Sequence, residues 1–137
     1  MKSKILFLLS IVLFFTCSCR GNHHKDASQM IKDFYVSYAS NVANGFDVKN
    51  DTLLTENMTP ELIAKVHSIR AEALYDPIIR AQDFDLNDVK SFDVKPLEDG
   101  WYLVSYLWNS DEKKRTEIPV KATVVNGKLL IDDITPE

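Results

Sequence analysis

The spacing of apolar residues divides the chain into three stretches of different character. Residues 5–15 are eleven residues of near-continuous apolar sequence, interrupted only by Ser10 and preceded by Lys2 and Lys4. Between residues 27 and 74 the apolar positions recur at helical intervals. From residue 89 onward they alternate. In the helical stretch, Met30, Ile31, Phe34, Tyr35, Tyr38, Ala39 and Val42 share one face, which predicts a helix over residues 27–43 closed near Asn44-Gly45. Asp26 and Gln29 have capping-box spacing at its start. Residues 20–25 are polar and without period, and read as a short tether. Residues 46–58 are ambiguous, with a helical turn possible at residues 51–54. A second helix opens at Thr59-Pro60-Glu61, with Thr as N-cap and Pro at the first helical position. Its stripe is Leu62, Ile63, Val66, Ile69, Ala73 and Leu74, and it should stop before Asp76-Pro77, because the residue before a proline avoids the helical region. His67 falls beside the stripe and reads as a boundary or surface residue.

The alternating part predicts four strands over residues 89–94, 101–108, 116–125 and 128–134. Glu98-Asp99-Gly100 marks the first turn, residues 109–113 a polar loop, and Asn126-Gly127 a two-residue hairpin. Pro119 cannot donate to a ladder, so the third strand should be an edge or be bulged there. Ile118, Val120, Ala122 and Val124 share one of its faces; Glu117, Pro119, Lys121 and Thr123 share the other. Short connections make the sheet an antiparallel meander. Helices first and strands afterwards imply an α+β domain, two helices packed on one face of a four-stranded sheet.

The opening segment changes the reading of the whole. Eleven helical residues span roughly 16 Å, about half of the ~30 Å hydrocarbon core. Such a run suits a cleaved export signal rather than a membrane span. It ends in Thr16-Cys17-Ser18-Cys19, which resembles the lipobox of bacterial lipoproteins: a small residue, Ser18, precedes a cysteine that becomes the lipid-modified start of the mature chain. Thr16 departs from the family, which favours Leu at that position. Cys17 is the rival site, and an ordinary signal with incidental cysteines is the plain alternative. Lipidation at Cys19 implies two or more acyl chains, enough for stable attachment. The chain is thus expected in the cell envelope of a Gram-negative bacterium, lipid-anchored and facing the periplasm from the outer membrane. The short n-region and loose lipobox resemble those of Bacteroidetes lipoproteins. Arg20-Gly21-Asn22-His23-His24 lacks the acidic residues that mark surface export in that group.

Cleavage before Cys19 would leave 119 residues, a tether over residues 19–26 and a single α+β domain over residues 27–137, with neither cysteine available for a disulfide. The signal holds two of the sixteen Lys and Arg and none of the twenty Asp and Glu, so the mature chain carries a net −6. That balance argues against nucleic acid and against electrostatic adhesion to anionic lipid. His23-His24 lacks the converging ligands of a metal site. No cofactor motif and no catalytic motif of nucleophile and base is present.

Two helices, a turn-rich segment and four antiparallel strands look like the nuclear-transport-factor-2-like cone fold or its cystatin-like relative. Tyr75-Asp76-Pro77-Ile78-Ile79-Arg80-Ala81-Gln82-Asp83 resembles more closely an uncharacterised family of small bacterial lipoproteins, domain of unknown function 3828. That resemblance implies a fold and a tethered life, and no activity.

Candidate contact residues follow from chemistry. Tyr75, Asp76, Gln82, Asp83 and Asp85 lie in an acidic segment. Calcium needs six to eight oxygens in a defined loop, and the EF-hand spacing is absent here. A local Asp76–Arg80 ion pair and a cap or turn role for Asp83 are the structural alternatives. Tyr102, Tyr106 and Trp108 share one face of the second strand with Val104, opposite Trp101, Leu103 and Leu107. Exposed, they would suit a protein partner or a glycan; covered, they are core. Three functions remain open: non-catalytic binding of a small ligand or protein partner; inhibition of an envelope hydrolase through residues 109–113 or 76–88; and a cone-fold enzyme with Asp76 or Asp83 as base and Tyr35 or Tyr75 as donor.

Overall fold

A computed structural model describes residues 20–45, 47–109 and 111–135. The export signal and Cys19 lie outside the described residues. Among those described, no helix is long and apolar enough to cross a membrane.

Helix α1, Arg20–Ala43, buries Ala27, Ile31, Phe34, Tyr35, Tyr38 and Ala39 along one face. Gly45, with φ of 71°, donates from its N–H to the Val42 carbonyl and ends the helix in the left-handed conformation that glycine adopts without strain. The helix starts at Arg20, so the stretch read as a tether is helical. Asp26 therefore sits inside the helix, and the expected capping box does not form. Gln29 donates forward to Asp33 instead (2.8 Å).

The ambiguous segment forms a full helix, α2, Asp47–Asn57. Among its described side chains Asn50 and Leu54 are buried, and Met58 continues their spacing of four just past its end, too few apolar residues to register as a period. Three helices of more than ten residues thus precede the sheet where two were expected. Helix α3, Pro60–Glu72, begins as predicted: the Thr59 hydroxyl accepts from Leu62 N, and Pro60 fills the first position. It stops short of Asp76-Pro77. Leu74 is 89 % exposed because the helix ends before its turn comes round to the core.

The strand expected over residues 89–94 forms elsewhere. The Asp85 side chain accepts from Asn87 N (2.7 Å) and starts a single helical turn, α4, Leu86–Val89. Both the N–H and the hydroxyl of Ser91 then bond to the Asp88 carbonyl, which keeps the chain turned. Strand β1 is only Asp93–Pro96.

Strands β2 (Trp101–Trp108), β3 (Asp111–Val125) and β4 (Lys128–Ile134) complete an antiparallel sheet in the order β1-β2-β3-β4. The architecture is α+β, with the helices on one face of a four-stranded meander. Asp99-Gly100 and Asn126-Gly127 make the two tight turns, all four residues at positive φ, the twist that matches flanking strands. The polar loop expected at residues 109–113 is mostly strand, since β3 begins at Asp111. The register shifts there, Leu107 facing Arg115 and Trp108 facing Asp111, so residues 112–114 stand outside the ladder.

Pro119 lies in a central strand, opposite Leu103. Its carbonyl accepts from Thr135 N, beyond the end of β4. The N and O of one residue point to the same side of a strand, so the missing N–H faces the side where β4 has run out. The overhang of β3 is locally an edge, and Arg80 fills it by donating to the carbonyls of Glu117 (2.8 Å) and Thr135 (2.7 Å).

Tyr102, Val104 and Tyr106 face the helices and are buried, so no exposed aromatic patch forms on that face of β2. Phe84 and Phe92 cover Tyr106, with ring centres 4.9 and 5.1 Å away. Trp108 is half-buried against the same core.

Candidate functional site

The segment of residues 73–85 carries most of the acidic candidates, and it is a packed loop rather than a free one. Ile78 and Ile79 are fully buried, and Asp76 N donates to the Ala81 carbonyl (2.9 Å). Asp76 Oδ1 accepts from Ile78 N (2.8 Å), the local turn that aspartate favours. Its Oδ2 accepts from the Tyr38 hydroxyl and from Arg70 Nη2, the latter at 2.8 Å. Arg70 Nη2 also donates to the Tyr38 hydroxyl, and its guanidinium lies over the Tyr38 ring, 5.9 Å from the centre. The partner of Asp76 is therefore Arg70 on α3, not Arg80. Arg80 has φ of 53°, which turns it toward the sheet overhang.

This clamp forms the wall of a cleft of about 450 Å³ lined by Tyr38, Val42, Asn50, Asp51, Arg70, Asp76 and Gln82. Asn50 is buried, and its Oδ1 accepts from Asn41 Nδ2 (3.0 Å). Arg70 spends one nitrogen on Tyr38 and Asp76; its other N–H groups have no partner among the described residues. Asp76 already accepts three hydrogen bonds, two at Oδ2 and one at Oδ1.

The other candidates are dispersed. Asp83, Asp85 and Trp108 line a separate, smaller cleft of about 200 Å³ together with Phe84, Asp88 and Asn109. Asp88 Oδ2 accepts from Asn109 N (2.9 Å), so this buried carboxylate ends a strand. No group of three or more His, Cys, Asp and Glu among the described residues is placed to hold a metal ion. Tyr75 faces a narrow crevice with Pro77, Leu62 and Ile134. Tyr102 and Tyr106 belong to the core, and the Tyr106 hydroxyl donates to the Ile79 carbonyl (2.6 Å). Of the sequence candidates, only Asp76 and Gln82 share the larger cleft.

A protein of unknown function from Bacteroides thetaiotaomicron VPI-5482, solved by crystallography, superposes on this chain with a TM-score of 0.76. The two are 36 % identical over 85 % of this chain and 94 % of the other. The chain belongs to the family of that protein. It matches no family model and no curated protein.

Four polar cleft residues escaped the sequence reading: Tyr38, read as core, and Asn50, Asp51 and Arg70. A signal for two of them was present. Arg70 extends the buried Leu62–Val66 row of α3 by four residues, and Asn50 stands four before Leu54 and eight before Met58. A polar residue on a buried helical row needs a partner or a ligand.

One buried group near the clamp is unsatisfied. Tyr35 is fully buried, and its hydroxyl has no hydrogen-bond partner among the described residues. Burial pushes its pKa up, and the Asp76 carboxylate pushes it further. Tyr38 shifts the same way, first by burial and then through Asp76. Leaving a buried polar group unpaired costs about 1–3 kcal/mol, so Tyr35→Phe is expected to stabilise the fold by about 1 kcal/mol in urea denaturation. The pH dependence has a definite sign. A folded pKa above the unfolded value near 10 contributes stability that is complete below pH ~10 and lost as pH rises past it. Tyr35→Phe should therefore also lessen the alkaline loss of stability, measured as Tm between pH 8 and 11.

Proposed function

We propose that this protein is a lipid-anchored component of the cell envelope that binds a small ligand in the Tyr38–Arg70–Asp76 cleft and does not transform it. The anchor is Cys19, and the domain faces the periplasm. The observation that carries the binding reading is the imbalance of the clamp. Asp76 is occupied by three donors, while Arg70 retains N–H groups with no partner among the described residues. A guanidinium with free N–H groups in a cleft is a ready anchor for an oxygen-bearing ligand. A volume of about 450 Å³ falls within the usual range for small-molecule sites. The inhibitor reading loses support in residues 76–88 because Ile78, Ile79, Phe84 and Asp88 anchor that segment in the core, although Gln82, Asp83, Asp85, Leu86 and Asn87 are exposed. Helices on one face of an antiparallel meander are in keeping with the cone-like or cystatin-like folds.

The test has two arms. Cys19→Ser should move the protein from the membrane to the soluble envelope fraction. The ¹⁵N-labelled mature domain, titrated with a small-molecule extract of the native envelope, should show shifts at Asn50, Arg70 and Gln82. A spectrum unmoved at all three positions would refute the binding site, and a membrane-bound Cys19→Ser protein would refute the anchor.

A further inference from the structure

Resting on the ligand-binding reading of the same cleft, we infer that its ligand is a zwitterion of the amino-acid type, an amino acid or short peptide with free termini.

The cleft leaves two kinds of polar capacity open. On the donor side are the remaining N–H groups of Arg70 and the side-chain amide of Asn50. Asn50 is 5 % exposed and lines the cleft, and its oxygen is taken by Asn41. Its NH₂ group has no partner among the described residues. It lies at the cleft, where a ligand oxygen would complement it. A guanidinium fork beside an amide NH₂ suits a carboxylate.

On the acceptor side is Asp51, on the first half of α2. Asp51 lines the same cleft, is exposed, and makes no ion pair among the described residues. Formal charge then decides between ligand classes. Arg70 contributes +1, and Asp51 and Asp76 together −2, so the lining totals −1. A phosphate dianion would enter against that balance. A simple carboxylate would satisfy Arg70 and Asn50 but leave Asp51 facing a like charge. A molecule bearing both a carboxylate and an ammonium group is neutral and matches both sets. The volume of about 450 Å³ exceeds what a small amino acid fills and leaves room for a second residue, with Gln82 as an amide partner for a peptide bond.

The ¹⁵N-labelled mature domain is titrated with tryptone, a mixture of amino acids and short peptides, and the Asn50 NH₂ and Arg70 Nε–H signals are followed. Both are expected to shift. Acetylation of the tryptone, which removes its ammonium groups, should weaken binding about tenfold, the equivalent of one lost charge-assisted hydrogen bond. Asp51→Asn, a surface change, should weaken the untreated mixture by the same factor and leave the acetylated one unaffected. Butyrate and inorganic phosphate serve as anion controls. If acetylated tryptone, butyrate or phosphate binds as well as untreated tryptone, the zwitterion assignment is wrong and the cleft is a plain anion site, with the binding function intact. If no tryptone component shifts either signal while an envelope extract does, the ligand class is wrong and the function stands. If neither moves them, both fall together.

Discussion

Asp76→Ala is expected to lower the stability of the domain by about 3 kcal/mol. The substitution leaves the Arg70 guanidinium, the Tyr38 hydroxyl and the Ile78 N–H without their acceptor at once. The side chains of Arg70 and Asp76 are 26 % and 18 % exposed, so the pair lies between surface ion pairs, worth about 0–1 kcal/mol, and buried ones, whose rupture costs about 3–5. The Asx-type bond to Ile78 N brings the total toward the upper end, because it fixes the loop that inserts Ile78 and Ile79 into the core. In urea, with a slope of about 1–2 kcal/mol/M, the midpoint should fall by roughly 2 M. Asp76→Asn retains an acceptor for Ile78 N and should lose less. A double-mutant cycle with Arg70→Ala should give a combined loss smaller than the sum, because each single change already abolishes the shared bond. Strict additivity would show that the Arg70–Asp76 contact contributes nothing.

Phe92→Ala is expected to cost about 4 kcal/mol. The ring lies at the crossing point of three others, 5.7 Å from Tyr35, 5.6 Å from Phe84 and 5.1 Å from Tyr106 between centres. These neighbours come from α1, the loop before α4, and β2, so collapse of one side cannot fill the gap without moving another element. The loss should appear in the denaturation midpoint with an unchanged slope. A loss below about 1 kcal/mol would mean that the aromatic cluster repacks freely.

Phe92 also illustrates why part of the fold resisted reading. It falls in a stretch whose alternation suggested a strand over residues 89–94. The alternation arises from a different cause: Asp85 and Ser91 hold the chain in turns, and Phe92 drops into the core from the last of them. Where a boundary is written in local chemistry it was legible. Thr59-Pro60 starts α3, and Asp99-Gly100 and Asn126-Gly127 turn the hairpins, because each needs only the residues beside it. The α2 helix was illegible because few apolar residues mark its buried side, and one of its buried positions is the polar Asn50. The site was half legible. Asp76 stood out through its turn chemistry, but its partners lie six residues away on α3 and 38 residues away on α1. The nearer cation, Arg80, invited a pairing that its backbone conformation forbids. Tyr38 has the spacing of any core aromatic, and only the folded chain distinguishes its hydroxyl from that of Tyr35.

The Arg80 bridge across the end of β4 bears on the order in which the molecule can assemble. Its acceptor at Thr135 lies 55 residues downstream, and Lys65 on α3 waits for Asp133, 68 residues on. Strand β4 and the residue after it thus lock components far upstream of them, and loops of that length make closure slow relative to local helix formation.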